Sequence, residues 1–216
     1  DVYKRQPTRL GNDNRIFQFA SIGEAPQDKK YHGEASRLEI GDRNTIREFV
    51  TINRGTDDGG GVTRIGNDNW LMAYIHIAHD CLIGNNTIFA NGSSLAGHVE
   101  IDDYAILGGF TLVHQFTKVG QHAFCGMGSA ISKDVPPYVM VSGNPCHPHG
   151  INVEGLKRRE FSKSALKALR DAYKIIYRSK LTVDEAKERL AAMLDEFPEV
   201  QPMLDFLHRS ERGILR

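Results

Sequence analysis

From Ile65 onward the apolar positions recur every six residues: Ile65, Leu71, Ile77, Ile83, Phe89, Leu95, Ile101, Leu107, Val113, Val119, Cys125 and Ile131. The residue after each is mostly small, as at Gly66, Ala78, Gly84, Ala90, Ala96, Gly108, Gly120 and Gly126. Two positions before the next apolar residue the chain is small or β-branched, as at Thr87, Ser93, Val99, Ala105, Thr111, Thr117, Ala123 and Ser129. An amphipathic helix would repeat about every 3.6 residues, so this period marks something else. A sustained internal repeat of this kind reads as a β-helix. Each hexad forms one short flat face, and three hexads close a triangular coil of eighteen residues. The apolar residue points inward, and the small residues fit the corners and the narrow interior. Earlier copies stand at "LGNDNR", "IFQFAS" and "IGDRNTIREFVT".

Two polar segments interrupt the register. Residues 24–38, "EAPQDKKYHGEASRL", and 54–63, "RGTDDGGGVT", are predicted to project from the prism as loops. Loops on a rigid scaffold commonly carry ligand contacts. After about residue 136 the hexads give way to "VPPYVMVSGNPCHPHG", a connector rich in proline and glycine. From Asn152 the pattern is helical: "NVEGLKRREF", "SKSALKALRDAYKIIYRSK", "TVDEAKERLAAMLDEF", and a last helix from Pro198. Thr182 and Glu185 have the spacing of a capping box. The expected organisation is a β-helix domain over 1–145 and an α-helical domain over 146–216. The second would cover strand edges left open at the end of the first. The opening "DVYKRQ" does not follow the hexads, although "PTRLGNDN" does, which suggests an N-terminally truncated chain or a foreign start.

Charge narrows the function. Lys+Arg and Asp+Glu both number 27, so the chain lacks the net basic surface that binding to nucleic acid requires. Three cysteines, Cys81, Cys125 and Cys146, form no CxxC pair and fit a reducing, cytoplasmic setting, with Cys81 and Cys125 expected in the core. No apolar run is long enough to cross a bilayer.

The candidate chemistry lies in "YIHIAHDCLIGN", residues 74–85. A period of eighteen stacks His79, Gly97 and Gln115 on successive coils, roughly 4.8 Å apart. A histidine is a plausible general base near neutral pH. A glycine beside it allows close approach, so its N–H is suited to an oxyanion. With nine histidines in the chain, the spacing alone leaves open that His79 is an ordinary surface residue. His76 and His79 are not expected to share a metal, because side chains three apart on a strand point to opposite faces. The same alternation argues against a His79–Asp80 pair, except at a corner.

The stretches "RIFQFASIGEAPQDKKYHGE", "HIAHDC", "LAGHVEIDD", "VHQF", "DVPPYV" and above all "GINVEGLKRR" resemble the UDP-N-acetylglucosamine O-acyltransferase family, from about Pro7 to the end. The family lies at the first step of lipid A synthesis, and its further N-terminal coils are missing here. The resemblance implies a left-handed parallel β-helix, a homotrimer with its sites between subunits, and no metal or cofactor. It implies a 3-hydroxyacyl-acyl carrier protein as donor and UDP-N-acetylglucosamine as acceptor. His79 matches the catalytic base acting on the glucosamine 3-hydroxyl, and Gly97 the oxyanion donor. His76, His98, His114 and Gln115 match pocket residues around sugar and donor. Gln27, Asp28 and Lys30 match substrate contacts in the first loop. Asn152, Glu154 and Arg158 match the nucleotide-binding element, where arginine supplies a fork for diphosphate. Asn53 and Pro145 stand where the family often has histidines. Met127, in "CGMGSA", stands where members using long donors carry glycine, which implies a ruler favouring a shorter donor, nearer 3-hydroxydecanoyl than 3-hydroxytetradecanoyl. The competing readings are a γ-carbonic-anhydrase-like metal hydratase, which also uses a trimeric left-handed β-helix with histidines between subunits, and a purely structural solenoid.

Overall fold

The computed structural model describes residues 7–216 and the backbone of Tyr3–Lys4. Its first two thirds are a left-handed parallel β-helix whose short strands stack into three sheets of seven, six and eight strands, parallel but for the last strand of the eight, the faces of a triangular prism. All twelve of the hexad residues from Ile65 to Ile131 are buried, none more than 4 % exposed. Thr87, Ser93, Thr111, Thr117 and Ser129 fill the second interior position of each hexad and are fully buried. Cys81 and Cys125 lie in the same core.

Register follows the period. His76 pairs with Ser94 and Ile77 with Leu95, while Leu95 pairs with Val113. Earlier offsets are longer, Thr51 pairing with His76 and Ser21 with Thr51, because the two polar loops are inserted there. The strands end at Glu24 and resume at Arg37 around the first loop. The second contains a short 3-10 turn, Asp57–Gly59, before the strand Val62–Ile65. Tyr3–Lys4 pairs in parallel with Ser21–Ile22, so this dipeptide continues the coil where the sequence suggested a break. Asp1, Val2, Arg5 and Gln6 of that opening lie outside the described residues.

A feature the hexad pattern did not disclose is the corner. Asp68, Tyr74, Asp80, Asn86, His98, Tyr104, Phe110, Phe116 and His122, in steps of six with Gly92 filling one gap, all have φ between 56° and 63°. This left-handed conformation is costly for residues with a Cβ. Stacking offsets it: Phe19, Phe49 and Tyr74 stack at 5.2 and 4.9 Å up one corner, and Tyr104, His122 and Tyr138 at 4.7 and 5.6 Å up another.

The last sheet ends in an antiparallel pair, Val139–Ser142 with His147–Ile151. Four helices follow: α1 (Val153–Arg158), α2 (Lys163–Tyr177), α3 (Val183–Ala191) and α4 (Gln201–Arg209). The capping box at Thr182 and Glu185 forms. The helices share one hydrophobic core with the prism. Beyond α4 the tail returns to the final coil, where the Leu215 N–H donates to Asp134 O at 2.9 Å and Ser210 Oγ to Asp134 Oδ2 at 2.7 Å. Arg209 pairs with Glu100 and Asp102 on the prism flank. Among the described residues no helix is long and apolar enough to cross a membrane.

Candidate active site

The strand His76–Ile77 is only two residues long and gives way at once to a corner. Ile77 goes to the core, and Asp80 takes φ 59°. Strand alternation therefore ends before His79. His79 Nδ1 lies 2.8 Å from Asp80 Oδ2, so the pair that alternation argued against does form, at the corner. An ionised carboxylate only accepts, so Nδ1 carries the proton and Nε2 is left as the free acceptor. The His79 side chain is 16 % exposed, less open to solvent than a prism-surface position implied.

Asp80 is itself held. Its side chain is 1 % exposed. Oδ1 accepts from the Thr56 N–H at 2.8 Å and Oδ2 from Thr56 Oγ1 at 2.6 Å, while the Asp80 N–H donates to Thr63 Oγ1 at 2.8 Å. Burial works to raise its pKa. The hydrogen bonds from His79 and Thr56 outweigh it and hold the carboxyl below its ordinary range.

Gly97 lies under the imidazole as the eighteen-residue period requires. A Cβ built there would come 2.5 Å from His79 Cε1 and 2.7 Å from Nε2. Its N–H has no hydrogen-bond partner among the described residues, and its carbonyl accepts from Phe116 N at 3.1 Å. His98 meets His79 edge-on at 5.2 Å and stacks on Phe116 at 4.4 Å. Burial lowers its pKa, against the pull of the Asp80 charge. His79, Asp80 and His98 each place a potential ligand atom within 4.8 Å of the others, which His76 does not join.

A groove of about 610 Å³ opens in front of these groups. Gln27, Asp28 and Lys30 of the first loop line it together with His79, His98 and Gln115. Asn53 and Asp58 also line it, though the sequence reading gave neither a role there. Asn53 donates to Ala25 O at 3.0 Å and so ties the first loop to the prism. His76 lies beside the groove: its Nδ1 is 2.8 Å from Thr51 Oγ1, and burial, then the His79 charge, lower its pKa. His114 is exposed, and its Nδ1 is 3.1 Å from Gln115 O.

The helical residues are elsewhere on the chain. Asn152 is buried as the cap of α1, its Oδ1 accepting from Gly155 N at 3.1 Å and its Nδ2 donating to His122 O at 3.1 Å. Glu154 is exposed and pairs with Lys157 at 2.8 Å. Arg158 is exposed and has no ion-pair partner among the described residues. Met127 is 79 % exposed, so it does not pack between coils. Within one chain, then, none of Asn152, Glu154, Arg158 or Met127 lines the groove at His79. Thr56 is the residue the sequence reading missed, while Asp80 was admitted beside His79 only at a corner, which is where it stands. The one available signal was that "RGT" precedes a glycine run able to lie flat on a neighbour.

Residues 134–215 match the family model described as UDP-N-acetylglucosamine O-acyltransferase, domain 2, and residues 63–97 match bacterial transferase hexapeptide repeats. The chain is 63 % identical over 203 residues to the acyl-[acyl-carrier-protein]–UDP-N-acetylglucosamine O-acyltransferase of Thiobacillus denitrificans, covering 94 % of this chain and 79 % of that one. It is 58 % identical to the protein of the same name from Halorhodospira halophila, covering 97 % and 81 %. The crystal structure of UDP-N-acetylglucosamine O-acyltransferase from Moraxella catarrhalis superposes with a TM-score of 0.95 at 48 % identity, over 97 % of this chain and 81 % of that one.

Proposed function

The chain belongs to the UDP-N-acetylglucosamine O-acyltransferase family, and from that premise we infer how its groove works. The protein transfers an acyl group from acyl carrier protein to UDP-N-acetylglucosamine, a reaction of lipid A biosynthesis. The relatives do not support the metal hydratase or the structural solenoid.

In the proposed mechanism Nε2 of His79 takes the proton of the glucosamine 3-hydroxyl as that oxygen attacks the carbonyl carbon of a 3-hydroxyacyl thioester. Asp80 orients the ring and stabilises the imidazolium. The unpaired Gly97 N–H receives the oxyanion of the tetrahedral intermediate. On collapse the C–S bond breaks, and the carrier thiolate leaves with the proton held by His79. The thioester is already activated, so the scheme calls for no metal or cofactor. The observation that carries this reading is His79 Nδ1 bonded to buried Asp80, with Nε2 against Gly97 in the groove.

Gln27, Asp28, Lys30, His98 and Gln115 face substrate in the same groove. Lys30 is suited to phosphate, and His76 and His114 flank the site. Arg158 and Glu154 reach the nucleotide from a neighbouring copy in a homotrimer, with Asn152 fixing the helix that presents them. Exposed apolar side chains along the prism support that assembly: Phe19, Phe49, Tyr74, Phe110 and Leu112 are all at least 44 % exposed. The three buried free thiols fit a cytoplasmic protein. The test is an acyl-transfer assay with UDP-N-acetylglucosamine and 3-hydroxyacyl carrier proteins of several lengths. Formation of O-acylated sugar nucleotide is expected, and no transfer from any donor would overturn the reading.

A further inference from the structure

The loop between Arg54 and Val62 lies over the one buried carboxylate of the site, and a single residue makes both its closure and its contact. The Thr56 carbonyl closes the loop on itself, accepting from Gly59 N at 3.1 Å and Gly61 N at 2.7 Å. The other polar groups of Thr56, its N–H and its hydroxyl, both go to Asp80, at 2.8 and 2.6 Å. The hydroxyl bonds the same oxygen, Oδ2, that accepts from His79 Nδ1. Thr56 is 4 % exposed, so no water competes freely for these bonds. Two glycines let the loop come this close. A Cβ on Gly59 would collide with the Asp80 carboxylate, and one on Gly55 would lie 2.7 Å from Oδ1. The neighbouring Arg54 ties this loop to the first, donating to Tyr31 Oη at 2.7 Å.

We propose that Thr56 is a positioning residue for acyl transfer: by clamping both oxygens of Asp80 from the 54–63 loop, it sets the carboxylate that orients His79. A carboxylate at a sharp corner has rotational freedom about its last bond. With Oδ1 held by the Thr56 N–H and Oδ2 by the hydroxyl, only one orientation remains, and in it Oδ2 lies in reach of His79. A base oriented by a third group loses rate, not substrate affinity, when that group loosens. This rests on His79 being the base, and the test separates the two.

Thr56→Val keeps the shape and removes the hydroxyl. It is expected to lower kcat on the order of tenfold to a hundredfold, the size of a lost hydrogen bond to a charged group. KM for UDP-N-acetylglucosamine stays near the parent value, and Thr56→Ser, which restores the hydroxyl, recovers most of kcat. Combined with His79→Ala, Thr56→Val produces no further fall in the residual rate, because it acts through His79. Thr56→Ala provides the same comparison if the valine variant does not fold. Parental kcat in a folded Thr56→Val or Thr56→Ala protein overturns the proposal, as does a serine variant no better than valine, or an undiminished fall in the His79→Ala background. Should His79→Ala alone keep parental turnover, it is the base assignment that fails.

Discussion

His122 shows what a corner residue contributes by itself. It stacks between Tyr104 and Tyr138, is 7 % exposed, and its Nδ1 has no hydrogen-bond partner among the described residues. Burial, and then the charge of Arg159, bring its pKa from 6.5 down to about 4. Between those values the unfolded chain holds a proton that the folded chain does not, so stability is lost as pH falls from about 6.5 towards 4. His122→Phe should fit, since Phe116 holds the same left-handed corner conformation at φ 62°. The variant's melting temperature should fall less than the parent's over that pH range; equal slopes would show that His122 does not couple to stability. Met127 makes a second residue-scale claim. A side chain 79 % exposed on one chain is free to fill the end of a groove between copies. Met127→Gly should shift donor preference towards longer 3-hydroxyacyl chains by relieving an overpacked end, about 1–3 kcal/mol for the longer donor. A parent protein that already prefers the tetradecanoyl donor would remove Met127 as the ruler. The sequence disclosed the His79–Gly97 stack, because the period alone fixes it. It did not disclose the His79–Asp80 bond. Alternation holds only along a strand, and here the strand is the dipeptide His76–Ile77, after which a left-handed residue turns the chain.

At the scale of elements, the coil was legible because one buried apolar residue in six leaves a pattern no helix shares. The polar loops were legible as interruptions of it. Their content was not: that Thr56 reaches Asp80 depends on how a glycine-rich segment folds back, which no period encodes. The corners went unread for a similar reason, since Asp, Asn, His, Tyr and Phe all occupy them and only φ unites them. The helices were visible from their periodicity and caps. Helix α1 is short, capped by Asn152, and carries Lys157 and Arg158 in its last turn. Arg158, exposed and without an ion-pair partner among the described residues, should contribute binding and not folding. Arg158→Ala is expected to weaken UDP-N-acetylglucosamine binding by about 1.5–3 kcal/mol, the value of a lost charge-assisted hydrogen bond, with the melting temperature unchanged. Titration calorimetry giving parental affinity would make α1 only part of the cap.

For the whole molecule, one chain brings His79 and the first-loop residues Gln27, Asp28 and Lys30 to one groove, with Gly97 against the His79 ring, and keeps Arg158 and Met127 away from it. An exposed ladder of Phe19, Phe49 and Tyr74 on the prism is costly for a lone chain in water. Both observations are accounted for by three copies around an axis. Sedimentation should give three times the 24.1 kDa of the chain, and a stable monomer with full activity would contradict a shared site. The central claim, however, is that proton transfer at His79 drives the reaction. Its most direct measurement is kcat for acyl transfer by His79→Ala, in protein shown by circular dichroism and sedimentation to be folded and assembled like the parent. A fall of about two to four orders of magnitude is expected, as for loss of a general base. Turnover within a few-fold of the parent would contradict the account.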